Sequence, residues 1–338
     1  MIKRMIADIK SNKKKAILIG AFIVIALILP LFTKSLFVLN LLILIEIWSV
    51  LGMGWNVMGG FTGQVSNGHS MYYGFGAYVT GLTLQYFGLS PWISIPLGML
   101  FCAGVAWIIG KPVLRLKGHA FAICTMALAE CMRYICVNAK FTNGAKGVYL
   151  FKKGVNPWLF LQFTDTRIYI YLYFVFAVIV FLVIYAMSKK KFFYYLRTIK
   201  GNEDAAASVG IDVSKYKTYA YMLSAAIVSL GGSMYAQYML YFDPASMMTL
   251  NVSMMIVLVT VMGGIGTVWG PVLGAIVLET VSEYTRSLWG QFGGLDMVIY
   301  GLMVIVIVLF LPSGLISLPA KIKERHAAKN SEEKGAQS

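Results

Sequence analysis

The sequence predicts an all-α polytopic membrane protein with about ten transmembrane helices, some of them interrupted by glycine. Three observations lead there. Of 338 residues, 59% are hydrophobic and 13% charged, and the mean hydropathy is +0.73, too apolar for a soluble fold of this length. Apolar runs of spanning length recur along most of the chain. The formal net charge of +15 gathers beside those runs instead of striping a polar domain, so it reads as a topology signal and gives no support to a nucleic-acid partner.

Six Lys/Arg in residues 1–15 place that segment in the cytoplasm. A first span follows at about 16–32, and because no small-residue cleavage site follows Pro30 it reads as a retained helix. A tight turn leads to a second span at about 36–58, which carries Glu46 and Asn56. Residues 59–76 are rich in glycine yet flanked by membrane helix. The third and fourth spans, about 69–87 and 92–110, lead to an inner loop marked by Lys111, Arg115 and Lys117. After a fifth span at 119–138 comes an outer loop, 139–166, without sustained periodicity; its Lys140, Lys146, Lys152 and Lys153 oppose the positive-inside rule. A sixth span at 167–187 precedes a long polar insert, 189–217, with seven Lys/Arg. Spans seven to ten fall at about 218–240, 250–267, 269–288 and 295–311. The expected organisation is a cytoplasmic segment (1–15), a transmembrane domain (16–318) and a polar cytoplasmic tail (319–338), with both termini inside.

Catalytic and metal chemistry find little support. Cys102, Cys124, Cys131 and Cys136 lie in or beside apolar runs with no CxxC spacing, and His69, His119 and His326 are far apart in sequence. Neither a nucleotide-gripping Gly-x-x-x-x-Gly-Lys-Ser/Thr loop nor a His-Glu-x-x-His or Gly-x-Ser-x-Gly element occurs. Glu46, Glu130, Arg133, Glu279, Glu283 and Arg286 fall within or near the membrane, where charge is costly and therefore functional by default. Glu130 with Arg133, and Glu283 with Arg286, stand three apart on one helix face and read in preference as structural pairs or as side chains that reach the interface.

Two helix breaks, 59–76 and 263–271, interrupt the apolar pattern. Unsatisfied backbone in hydrocarbon is expensive, so such breaks are tolerated mainly beside a pore or binding site. Gly63, Gln64, Ser66, Asn67 and His69, with Gly263, Gly264, Gly266 and Thr267, are the candidate translocation-path residues. The alternative is that these glycines only let helices approach closely.

Within the insert, Asn202 is suited to cap a short helix, Glu203 and Asp204 put negative charge on its first turn, and residues 205–209 favour helix. Gly210 can take the left-handed stop conformation, Ile211 can fold back, and Asp212 can cap the next helix. A helix of about two turns is marginal alone, so a partner protein is expected to hold it.

Asp204, Ala205, Ala206 and, four residues later, Gly210 resemble the EAA loop of ABC importer permeases, with Asp204 where Glu is usual and without the Leu-Pro ending. The wider run 196–216 is similar to the LivM family of branched-chain amino acid permeases. Residues 63–69, GQVSNGH, resemble that family's GQ(I/L)SLGH segment with Asn67 in place of Leu, and residues 263–275 resemble its GGxGTxxGPxxGA segment. The resemblance implies a permease subunit of a bacterial ABC importer that carries branched-chain or other hydrophobic amino acids inward by alternating access. It also implies a second homologous permease chain, two cytoplasmic ATP-binding cassette subunits that hold ATP and Mg, and an extracytoplasmic binding protein. Arg197, Asn202, Glu203, Asp204, Ala205, Ala206 and Gly210 would then couple this chain to the ATPase. No cofactor is expected on the chain itself. The rivals are an ion-coupled secondary transporter using Glu46, Glu130 or Glu279, and a related permease for urea or short amides; an embedded enzyme has no residue set behind it.

Overall fold

The computed structural model describes residues 29–290 apart from 153 and 155, with scattered positions from 294 to 317. The chain runs as α1 (Leu36–Trp55, continued by a π turn at Asn56–Gly60), α2 (His69–Phe87), α3 (Pro91–Val113), α4 (His119–Asn138) and α5 (Thr166–Ser188). The insert forms α6 (Lys191–Gly201) and α7 (Glu203–Ser208), and α8 (Val213–Met239), α9 (Leu250–Gly263) and α10 (Gly270–Trp289) follow. The second to ninth expected spans each correspond to a helix, with ends moved by a few residues. The first and tenth fall largely outside the described residues, so the total of ten stays an expectation.

Local chemistry sets many of the ends. Ser90, Asp165 and Thr249 each accept a backbone N–H from the first turn of the helix they precede, and Pro91 occupies the first helical position of α3, where its missing N–H costs nothing. Gly88 ends α2 in the left-handed conformation.

Among the described residues, five helices are long and apolar enough to cross a membrane by length and composition: Leu36–Gly60, Pro91–Val113, His119–Asn138, Thr166–Ser188 and Pro244–Gly263. The less apolar α2 and α8 lie at the centre of the bundle, where side chains meet other helices instead of lipid. Close approach, not greasiness, is what their sequences provide. A side chain at Gly232 of α8 would come within 1.9 Å of the Tyr73 carbonyl oxygen on α2, and one at Gly76 of α2 within 2.1 Å of the Ser229 oxygen. Thr80 donates to Ser233 at 2.9 Å and Ser233 donates to the Gly76 carbonyl, so these two hydroxyls are satisfied across the seam.

The connections sort into two ends. At one, the 61–68 loop, the 114–118 loop, the α6–α7 insert and the 264–269 turn meet: Gln64 reaches Glu203, Lys117 reaches Asp204, and Asn56 reaches Thr267. At the other, Val148–Tyr149 (β1) and Tyr241–Phe242 (β2) pair antiparallel, Val148 opposite Phe242, while Ser90 and Trp92 donate to carbonyls of Leu159 and Trp158. The 139–166 loop therefore has more order than its aperiodic sequence suggests. Its Lys152 also has a structural reason: the ammonium donates to the Leu84 carbonyl (3.3 Å), which also takes the Gly88 N–H, in the last turn of α2, where the negative end of the helix dipole favours a cation. Lys153 lies outside the described residues.

Candidate functional site

The insert departs from the expected single short helix. Residues 191–201 form α6 first, because Phe193, Leu196 and Ile199 repeat every three residues and bury one face. Phe193 packs edge-on against Phe61 (centroids 4.7 Å), and the Arg197 guanidinium stands over the same ring at 5.5 Å.

The second helix, α7, is built as its residues suggest. The Asn202 side-chain oxygen accepts from the backbone N–H groups of Asp204 (3.0 Å) and Ala205 (3.1 Å). At the far end Gly210 sits at φ +83°, its N–H bonds the Ala207 carbonyl, and the Ile211 N–H bonds the Ala206 carbonyl, which is the paired Schellman closure. A side chain at Gly210 would meet nothing within 4 Å, so the backbone conformation alone requires glycine. Asp212 accepts from the Lys215 N–H and opens α8.

The chain itself fastens the inner face of α7, which leaves only its outer face to the partner protein that its shortness called for. Ala206 is fully buried, and the Glu203 carboxylate takes the ammonium of Lys217 and the Gln64 side-chain amide (2.8 Å). Asp204, Ala205, Ala207, Ser208 and Val209 face outward, Val209 with 73% of its surface exposed. Asp204 forms only an exposed ion pair with Lys117, an arrangement worth little in water. Beside this outward face lies an open cavity of about 330 Å³, lined by Tyr194, Tyr195, Tyr216, Val209 and Ile211.

The two glycine-rich breaks, some two hundred residues apart in sequence, lie against each other at this same end. Asn56, in the π turn, bridges them: its amide nitrogen donates to the Thr267 carbonyl (2.6 Å) and its oxygen accepts from the Gly266 N–H (2.9 Å). The Lys200 ammonium of α6 donates to the Gly60 carbonyl (2.8 Å), and its stem lies against Gly63. Thr267 closes its own turn by donating to the Gly264 carbonyl and accepting from the Gly270 N–H. Gly263 is a packing glycine, since a side chain there would strike the Gly270 carbonyl oxygen at 1.7 Å. The backbone that the breaks free from helical bonding is thus largely met by the chain's own groups.

His69 opens α2 fully buried, with Nδ1 3.0 Å from the Ser66 hydroxyl and Nε2 2.7 Å from the Ser224 hydroxyl. Ser224 donates to the Gly54 carbonyl, so it accepts from Nε2–H, and Ser66 is left to donate to Nδ1. That direction of donors makes the ring neutral. Asn67 donates its backbone N–H to Thr125 of α4, and Gln64 keeps one buried side-chain oxygen without a partner. Glu130 pairs with Arg133 (2.7 Å) and Glu283 with Arg286 (2.9 Å), each within its own helix. Glu46 and Glu279 each retain a buried oxygen with no hydrogen-bond partner.

Sequence reading did not single out Lys200, Lys217, Ser224 or the bridging role of Asn56. Asn56 carried a signal, a carboxamide inside an apolar run; the contacts of Lys200 and Lys217 depend on which loops fold together.

The family model described as "Branched-chain amino acid transport system / permease component" matches residues 37–308. The high-affinity branched-chain amino acid transport system permease protein LivM of Escherichia coli K12 is 28% identical over 334 residues, covering 91% of this chain and 76% of that protein. LivM of Salmonella typhimurium LT2 is 27% identical over 333 residues with the same coverage. No solved structure matches significantly. The match begins one residue into α1 and takes in both glycine breaks and the insert between them, and the chain belongs to the family of permease components of branched-chain amino acid transport systems.

Proposed function

We propose that this multi-pass permease translocates branched-chain or other hydrophobic amino acids inward across a bacterial cytoplasmic membrane, with the insert end and both termini facing the cytoplasm. A second homologous permease chain, two ATPase subunits and an extracytoplasmic binding protein complete the machine. ATP and Mg are held by the ATPase subunits, and this chain carries no cofactor and no catalytic group. The observation that carries the reading is α7: a six-residue helix closed at both ends, anchored on one face by its own chain and bare on the other. An ATPase groove fits that bare face, with Asp204, Ala205 and Val209 on the contact, Arg197 on the adjoining α6, and Asn202 and Gly210 keeping the helix in shape. The solute path passes the paired breaks, where Gly63, Gln64, Ser66, Asn67 and His69 on one side adjoin Gly263, Gly264, Gly266 and Thr267 on the other. Alternating access then consists of these two segments parting and closing as α7 is pulled.

Burial decides where a probe must be placed. A photo-crosslinking residue at Val209 should capture an ATP-hydrolysing subunit in native membranes, whereas one at Ala206 should not, because Ala206 points into the chain. Absence of any such adduct at Val209, with uptake intact, would remove the docking role.

Two substitutions at Gly210 separate shape from presence. Gly210→Ala has room for its methyl group and suffers mainly the left-handed conformation, about 1–2 kcal/mol, so uptake should be reduced but measurable. Gly210→Pro cannot reach φ +83° and loses the N–H that bonds Ala207. Uptake should vanish while the amount of protein in the membrane stays near wild type; equal uptake by both variants would contradict the assignment.

A further inference from the structure

Glu203 is the residue through which α7 meets the membrane helices. Of the six residues of α7 only Ala206 is buried, so packing gives the helix little grip on its own chain. The Glu203 carboxylate supplies the rest. Its Oε1 accepts from the Gln64 side-chain amide at 2.8 Å and from the Lys217 ammonium. Gln64 belongs to the first glycine break, between α1 and α2, and Lys217 to the second turn of the central helix α8. Both are almost wholly buried, Gln64 with 6% and Lys217 with 1% of their surface exposed. The first glycine break, 139 residues away, and the base of α8, 14 residues on, therefore end on one oxygen of α7.

A buried ammonium with one carboxylate partner does not let go easily, because separation leaves an uncompensated charge. An exposed pair such as Asp204 with Lys117 slides apart at small cost. When α7 is displaced, the outer pair yields and the inner one follows. The displacement then arrives at two places at once: at Gln64, hence the first break, and at the base of α8, whose backbone touches α2 through Gly232 and Gly76.

Building on the permease reading above, we propose that Glu203 is a positioning residue that acts inward. It carries displacement of α7 through Lys217 and Gln64 into α8 and the first glycine break, and it makes no contact of its own with the ATPase. Gln64 and Lys217 are its receiving ends. The neighbouring acidic residue, Asp204, has the outward placement and a different task.

The test uses the chain co-assembled with its cognate permease, ATPase and binding-protein subunits in proteoliposomes, scoring leucine taken up per ATP hydrolysed. The double variant Glu203→Met, Lys217→Met replaces the ion pair with apolar side chains of similar length and leaves no buried charge behind. Assembly and basal ATP hydrolysis should stay within about twofold of wild type while leucine per ATP falls about tenfold or more, since the link and not the packing is lost. Lys217→Arg, which keeps the pair, should hold leucine per ATP within about threefold of wild type. Wild-type coupling in the double variant would overturn the proposal. So would a parallel loss of ATPase from the purified complex, which would make Glu203 an outward contact or a mere clamp. If the double variant does not accumulate, the exchanged pair Glu203→Lys, Lys217→Glu decides: restored assembly with restored coupling supports the link, and restored assembly with lost ATPase binding, or failure of this variant too, overturns it. If the wild-type chain purifies with no ATP-hydrolysing subunit at all, the permease reading beneath has failed, and that outcome is visible before any variant is compared.

Discussion

Gly263→Val should leave almost no protein in the membrane, although it exchanges one apolar residue for another in an apolar helix. Gly263 is the last residue of α9, and the atom its side chain would first meet is the Gly270 carbonyl oxygen, 1.7 Å from the ideal Cβ position, with the Gly270 carbonyl carbon at 2.4 Å and the Gly274 nitrogen at 2.8 Å. All three belong to backbone, so no rotamer change relieves the clash. The same seam repeats one turn further: a side chain at Gly274 would approach the Val259 oxygen at 1.8 Å. Ordinary overpacking costs about 1–3 kcal/mol where side chains can shift, and here the first turn of α10 would have to leave α9 altogether, so the penalty should exceed that range. Gly104→Val is the control, because the chemical change is identical and a side chain at Gly104 meets nothing within 4 Å. Immunoblots of membrane fractions and thermal unfolding in detergent should show a large loss for Gly263→Val and almost none for Gly104→Val. Equal abundance of the two would mean that the α9–α10 approach is not what holds this half of the bundle.

Several elements could be read from the chain directly because the physics behind them is local. Asn202, Gly210 and Asp212 do what their residue types favour, since a cap or a left-handed stop involves atoms only a few residues away. The apolar runs that became α1, α3, α4 and α5 announced themselves because each is long and apolar enough to cross a membrane by length and composition alone. Reading grew weaker toward the centre of the bundle. α8 owes its place to Gly231, Gly232, Ser229 and Ser233, residues that lower hydropathy while permitting contact. The helix over 191–201 was missed because its buried residues, Phe193, Leu196 and Ile199, are set among basic ones that draw attention to charge. The anchoring of α7 could not be read at all. That Glu203 meets both Gln64 and Lys217 depends on the 61–68 loop and the insert arriving at the same end, which is a property of topology and not of any local pattern. The shortness of α7 calls for something to hold it, and the rest of the chain meets that need on one face.

Asn56→Leu should uncouple the two breaks while leaving the bundle in place. The carboxamide is 1% exposed and spends both of its polar atoms on the second break, donating to the Thr267 carbonyl and accepting from the Gly266 N–H. Leucine keeps the same branched four-atom skeleton, although it is bulkier, so the π turn should still pack with local adjustment. What is lost is the satisfaction of two backbone groups that α9 and α10 cannot serve, because the helix has ended at Gly263 and begins again only at Gly270. Each abandoned group costs about 1–3 kcal/mol, enough to favour a rearranged 264–269 turn that reaches water or a neighbour instead. Membrane abundance should stay within about twofold of wild type, because the α2–α8 seam and its serine and threonine bonds are untouched. Uptake should fall at least about tenfold if the paired breaks border the path, since one misplaced segment at a gate is costly out of proportion to its stability. A second measurement reads the turn itself. Ile265 is 43% exposed at its tip, so a cysteine placed there reports local opening through its rate of thiol labelling. Faster labelling in the Asn56→Leu background, together with lost uptake, ties the seal between the breaks to transport. Faster labelling with normal uptake would show that the junction is a structural seam and that solute crosses elsewhere in the bundle.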